Sequence, residues 1–166
     1  MPVSKQTTIE KYPLEQKKVI KKTVAAIWGS FLLFLFVYLP AHIFLWKNYS
    51  TFIIIADILL GFGVVIQPFY QYWYYKKYFY DVRADFLVIK KGVIMVREII
   101  LDYDKVQDVY MDQDLFDRMF SLWDVHVSTA TSMSGMEAHI DGVNHDNAMV
   151  IRELILAKIR SGKIRK

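Results

Sequence analysis

Two hydrophobic patterns divide the chain. Residues 24–75 are almost continuously apolar, and Lys47 and Asp57 are the only fully charged side chains among them. Two apolar runs, 24–46 and 51–75, flank 47–50, which reads as a short polar turn breaking the helix. Each run exceeds the roughly 20 helical residues needed to cross a hydrocarbon core. A helical hairpin also satisfies its backbone hydrogen bonds internally, as a spanning element must. The expectation is a two-helix transmembrane hairpin. A signal peptide is the alternative for a basic leader and an apolar run, but this run is too long and no Ala-x-Ala-like cleavage site follows it.

From Tyr78 onward the period changes. Residues 85–90 read as a strand, Lys91-Gly92 as a turn and 93–101 as the return strand. Residues 106–111 form a third strand, and 114–120 a short helical turn that Asp114 can cap. Residues 124–129 and 137–141 alternate apolar with polar, and 131–135 link them as a loop. Residues 147–159 carry apolar positions at helical spacing, with Val150, Ile151, Leu154, Ile155 and Ile159 as the stripe. Asp146 or Asn147 is the expected cap. Several antiparallel strands and one terminal helix pack best as a small curled sheet or split barrel covered by the helix.

Charge sharpens the picture. The formal net charge is +4, yet residues 1–23 hold six Lys and two Glu, and the last nine residues hold five Lys or Arg and no acid. Between residues 81 and 157 there are seven Lys or Arg against fourteen Asp or Glu, a net of −7. An acidic body argues against nucleic-acid binding. Lys17, Lys18, Lys21 and Lys22 precede the first run, Lys76 and Lys77 follow the second, and only Lys47 lies between. The positive-inside rule then places both termini in the cytoplasm, as a multi-pass protein of the cell membrane. Trp28, Trp46, Tyr49 and the aromatic rings at 70–75 suit interfacial belts. The chain lacks cysteine, so disulfides and thiolate chemistry are excluded.

The strand and turn residues carry a resemblance. Phe86-Leu87-Val88-Ile89-Lys90-Lys91-Gly92, then 100–109, then 113–120 and the strand 124–129 resemble the bacterial pleckstrin-homology-like family, in its members with two N-terminal membrane helices. The resemblance implies a membrane α-helical hairpin plus an α+β, mainly β, pleckstrin-homology-like domain with a C-terminal capping helix. It divides the chain into a basic cytoplasmic leader (1–23), the hairpin (24–75), the domain (78–160) and a basic tail (161–166). Related members usually carry Gly just after the short helical turn, where this chain has Ser121. The turn is therefore expected to be tighter or differently shaped. The family offers no catalytic residues to carry over, and its fold serves lipid and protein binding elsewhere.

Candidate sites are few. A symmetric loop would set His126 opposite His139, with Asp141 two residues along, a set able to take Zn²⁺; two solvent-facing histidines are the plainer reading. Lys90, Lys91 and Arg97, with Lys163, Arg165 and Lys166 of the tail, are the candidate contacts to anionic membrane lipids. Asp57 lies one to two turns into the second run, where local water, a polar neighbour such as His42, or a contact with another membrane subunit would satisfy it. Ion or proton transport through Asp57 is a further alternative. No Ser–His–Asp order, phosphate loop or His-Glu-x-x-His segment appears, and the acids at 102–117 lack the glycine a calcium loop needs. The expected role is a non-enzymatic, cofactor-free, membrane-tethered interaction module or accessory subunit with a protein partner or self-association. The alternative is a domain that binds or senses anionic lipid.

Overall fold

The computed structural model describes residues 6–129 and 138–164, with the side chains at 46, 48, 49, 163 and 164 outside the description. The loop expected at 131–135, Glu137, and the tail cations Arg165 and Lys166 lie outside the described residues. Two units emerge: one runs from Val19 to Trp73, and the other combines the segment up to Lys18 with everything from Tyr74 onward.

The second unit is built on two antiparallel three-stranded sheets. β1 (Phe79–Val82), β2 (Phe86–Lys91) and β3 (Arg97–Asp102) make one; β4 (Val106–Asp112), β5 (Trp123–Thr129) and β6 (Ala138–Val143) make the other, each in sequence order. Helix α1 (Thr8–Lys11) lies in the leader, and α4 (Leu115–Phe120) joins β4 to β5. The terminal helix α5 runs from His145 to Ile164, longer than the 147–159 pattern. Its cap is Asn144, whose side-chain oxygen accepts from the Asn147 N–H at 2.8 Å. Asp146 and Asn147 do not serve. Tyr80, Leu87 and Ile89 of the first sheet and Val125, Val127, Ile140 and Val143 of the second share one core with Ala148, Ile151 and Ile155 of α5. Each fully buried large side chain contributes about 1.5–3 kcal/mol. The buried stripe is rotated from the expected one: Val150 and Met149 face outward, and Ala148 takes the inner position.

The polar leader, which Pro2 and Pro13 suggest is loose up to about Leu14, is instead docked from Thr8 onward. The Thr8 N–H and hydroxyl both donate to Asp81 Oδ1 at 3.0 Å. The Tyr80 hydroxyl donates to the Tyr12 carbonyl. Leu14 is buried, and the Glu15 N–H donates to the Gly142 carbonyl at 2.9 Å. Lys18, 1% exposed, donates from Nζ to the Asp141 carbonyl at 2.8 Å and lies 3.6 Å from its carboxylate. The same ammonium sits 3.9 Å over the Tyr78 ring. Gly142 has φ +81°, and a Cβ there would fall 2.7 Å from the Lys18 side chain. The absent side chain makes room for the lysine. Burial, then the nearby Asp141 charge, raises the Tyr78 phenol well above its ordinary value. Burial alone would raise the Asp81 carboxyl, but the bonds from Thr8 and Arg83 outweigh it and hold the group below the ordinary carboxylate value.

The other unit is helical. α2 (Lys17–Leu33) passes through a π-helical turn at Phe34–Tyr38 into α3 (Leu39–Lys77). The widened turn stands just before Pro40, whose ring lacks an N–H and would clash with the carbonyl four residues back. Pro68 also sits inside α3; the two prolines are positions where a helix is expected to bend or terminate, and neither terminates it. His42 Nε2 and Asp57 Oδ2 are 3.0 Å apart. In a straight helix these residues would be about 22 Å apart, so the chain reverses between them. The reversal keeps helical backbone bonding through Lys47 to Ser50, where a break was expected. Two segments are long and apolar enough to cross a membrane, Lys17–Leu45 and Ser50–Lys77, with mean hydropathy 2.0 and 2.2.

Candidate functional site

The first sheet has two chemically opposite ends. Phe79 pairs with Lys90, so the β2–β3 loop lies at the end where the chain arrives from Lys77. Lys91 pairs with Arg97 and closes a five-residue loop, Gly92 to Val96. Gly92 takes φ +115°, and a Cβ there would meet the Met95 carbonyl oxygen at 1.9 Å, so only glycine fits. The expected return strand, 93–101, begins only at Arg97. Ile94, Met95 and Val96 instead stand 89%, 76% and 53% exposed. Lys90 and Arg97 are exposed beside them, Lys91 is half-buried, and Glu98 lies 3.9 Å from Lys90. The three cations singled out from sequence thus gather at one tip. The apolar residues between them were missed because they read as strand.

At the opposite end, the turn after β1 borders a cleft of about 520 Å³. Asp85, Asp102, Asp104, Lys105 and Lys158 line it. Lys105 reaches Asp102 at 2.9 Å, and this bond raises the lysine above its ordinary value. The Tyr103 hydroxyl donates to the Arg83 carbonyl at 3.0 Å, and burial raises that phenol.

On the second sheet His126 does pair with His139, and their rings stack at 5.4 Å. Tyr110 stacks on the other face of His126 at 4.9 Å. Asp141 does not join them; it is buried beneath Lys18 in the leader clamp. Asp112 and Asp124 do approach, each offering an oxygen within 4.8 Å of a His126 nitrogen. Asp112 pairs directly with Asp124 across the strands, which the alternation pattern alone did not single out. His126 Nε2 already lies 3.0 Å from Asp112 Oδ1, and Asp124 Oδ1 accepts the Gly142 N–H at 2.7 Å. A histidine–aspartate hydrogen bond on a sheet surface accounts for this geometry.

Asp57, the candidate contact on the hairpin, has His42 as its neighbour and remains about two-fifths exposed. Lys163 lies in α5 with its side chain outside the description.

No curated protein and no solved structure matches this chain. The family model of the bacterial PH domain matches residues 23–159, which include the apolar helices as well as both sheets and most of α5. That match covers most of the sequence, and the chain belongs to the bacterial PH domain family.

Proposed function

We propose that the chain is a non-enzymatic, membrane-tethered interaction module. The two apolar helices cross the bilayer, both termini lie in the cytoplasm, and the PH unit binds a protein partner at the cytoplasmic leaflet. One observation carries the reading: the segments before and after the helices belong to one unit, joined by Thr8 to Asp81 and by Glu15 to Gly142. Such a unit requires an even number of crossings. The exposed apolar side chains of the helices support tethering, and the lysines flanking them support the cytoplasmic orientation. Tethering raises the local concentration of the domain near membrane partners.

The acidic body and the cleft bearing Asp85, Asp102 and Asp104 favour a partner with a basic segment. Asp57 marks where a second membrane subunit would meet the hairpin. The test is purification from native membranes in mild detergent, with the mass of the intact particle measured and its components identified. A defined heteromer that is lost in the Asp102→Lys, Asp104→Lys double variant supports the reading. A monomer or homo-oligomer, or a heteromer indifferent to those changes, rejects the acidic cleft as the docking surface.

A further inference from the structure

We infer that the β2–β3 tip is a wedge that enters the interface of an anionic bilayer. The inference rests on the membrane-tethered reading and assigns the tip a ligand. Ile94, Met95 and Val96 are three consecutive large apolar side chains, all exposed, at the end of a hairpin. Scattered surface apolar residues need no explanation, but a contiguous apolar projection rimmed by charge marks a contact. The rim here is cationic. Lys90, Lys91 and Arg97 lie on the strands immediately flanking the loop, with Glu98 3.9 Å from Lys90. They are three of the seven basic residues in a body that holds fourteen acids. The tip thus gathers three of those cations around its apolar side chains, whereas the far cleft sets three carboxylates beside Lys105 and Lys158. A lipid surface with anionic headgroups over hydrocarbon matches that order of groups.

Position agrees with chemistry. Lys90 is level with Phe79, two residues after the last residue of α3. The tip projects about 7 Å beyond Lys90, two residue rises along a strand, at the end of the sheet where β1 begins. The wedge therefore sits at the end of the sheet tied covalently to the apolar helices.

The absence of cysteine allows a direct test on the full chain. Single variants Ile94→Cys, Asp85→Cys and Leu59→Cys would carry a nitroxide label in nanodiscs with or without phosphatidylglycerol. Power saturation then compares oxygen, which partitions into lipid, with a water-soluble nickel chelate. In phosphatidylglycerol the label at 94 should gain oxygen accessibility and lose nickel accessibility, like the label at 59, while the label at 85 stays in water. Adding Lys90→Glu, Lys91→Glu and Arg97→Glu should return the label at 94 to water. A label at 94 that behaves like that at 85 in both lipids, with 59 in lipid, overturns the wedge alone. A label at 59 in water overturns the tether as well. A label at 94 shielded from both reagents overturns the lipid assignment in favour of a protein cover.

Discussion

Replacing Ser121 with glycine should stabilise the PH unit. Ser121 follows α4 with φ 56° and ψ 42°, the one non-glycine residue at positive φ among those described. It is the left-handed member of a Schellman cap: its N–H donates to the Arg118 carbonyl at 3.4 Å, and the Leu122 N–H to the Asp117 carbonyl at 2.9 Å. The turn thus keeps the conformation that glycine favours, rather than the altered shape anticipated from the serine. A Cβ in this conformation costs about 1–2 kcal/mol. Glycine returns about 0.4–1 kcal/mol of that through the greater freedom of the unfolded chain. The Ser121 side chain is exposed, so little packing is lost. The balance is a gain of about 0.5–1 kcal/mol, or about 3–6 °C in midpoint for a unit of this size. Thermal unfolding of full-length Ser121→Gly in detergent, followed by tryptophan fluorescence, measures it. Ser121→Ala keeps the Cβ and should show no gain. An unchanged or lower midpoint for Ser121→Gly would refute the strain argument.

Three further outcomes follow from the same structure. Lys18→Met removes the ammonium facing Asp141 in a buried site and should cost about 3–5 kcal/mol, read as a lowered midpoint and faster proteolysis within residues 6–18. The Asp81 carboxyl is depressed when folded, so its contribution is full above the unfolded value near 3.8 and is lost as pH falls through the lower folded value. Asp81→Asn should lower the midpoint at neutral pH and shrink the drop between neutral pH and pH 3 (about one unit below the ordinary carboxylate value) in the same thermal assay. His42→Leu removes the hydrogen-bonded neighbour of Asp57 and should weaken the hairpin by about 0.6–2 kcal/mol, measured by denaturation in mixed micelles.

Much of the architecture was legible from residue pattern. The alternating strands, the capped helical turn at Asp114 and the facing of His126 with His139 all follow from period and symmetry. The first hairpin shows where pattern fails. Pairing Ile89 with Ile94 across a tight Lys91-Gly92 turn satisfies the core as well as the observed pairing of Ile89 with Ile99. Two registers were equally apolar, and only tertiary packing chose the one that exposes the tip. The leader was misjudged for a related reason: its contacts with Asp81, Gly142 and Asn144 join residues more than seventy positions apart, which no local period reveals. Those contacts also took Asp141 away from the histidines.

The docked leader makes the order of synthesis matter. Lys18 must wait for Asp141, and Glu15 for Asn144, a separation of more than 120 residues that spans the whole apolar hairpin. The PH unit therefore completes itself only after both helices have been made and the last third of the chain has emerged. On the two-span tether proposed above, failure of one helix to insert would leave the two halves on opposite sides of the bilayer, and the aqueous unit would stay open with its core exposed. Correct insertion thus becomes a condition for a folded soluble domain, and a misinserted chain presents itself to quality-control proteases as an unfolded one.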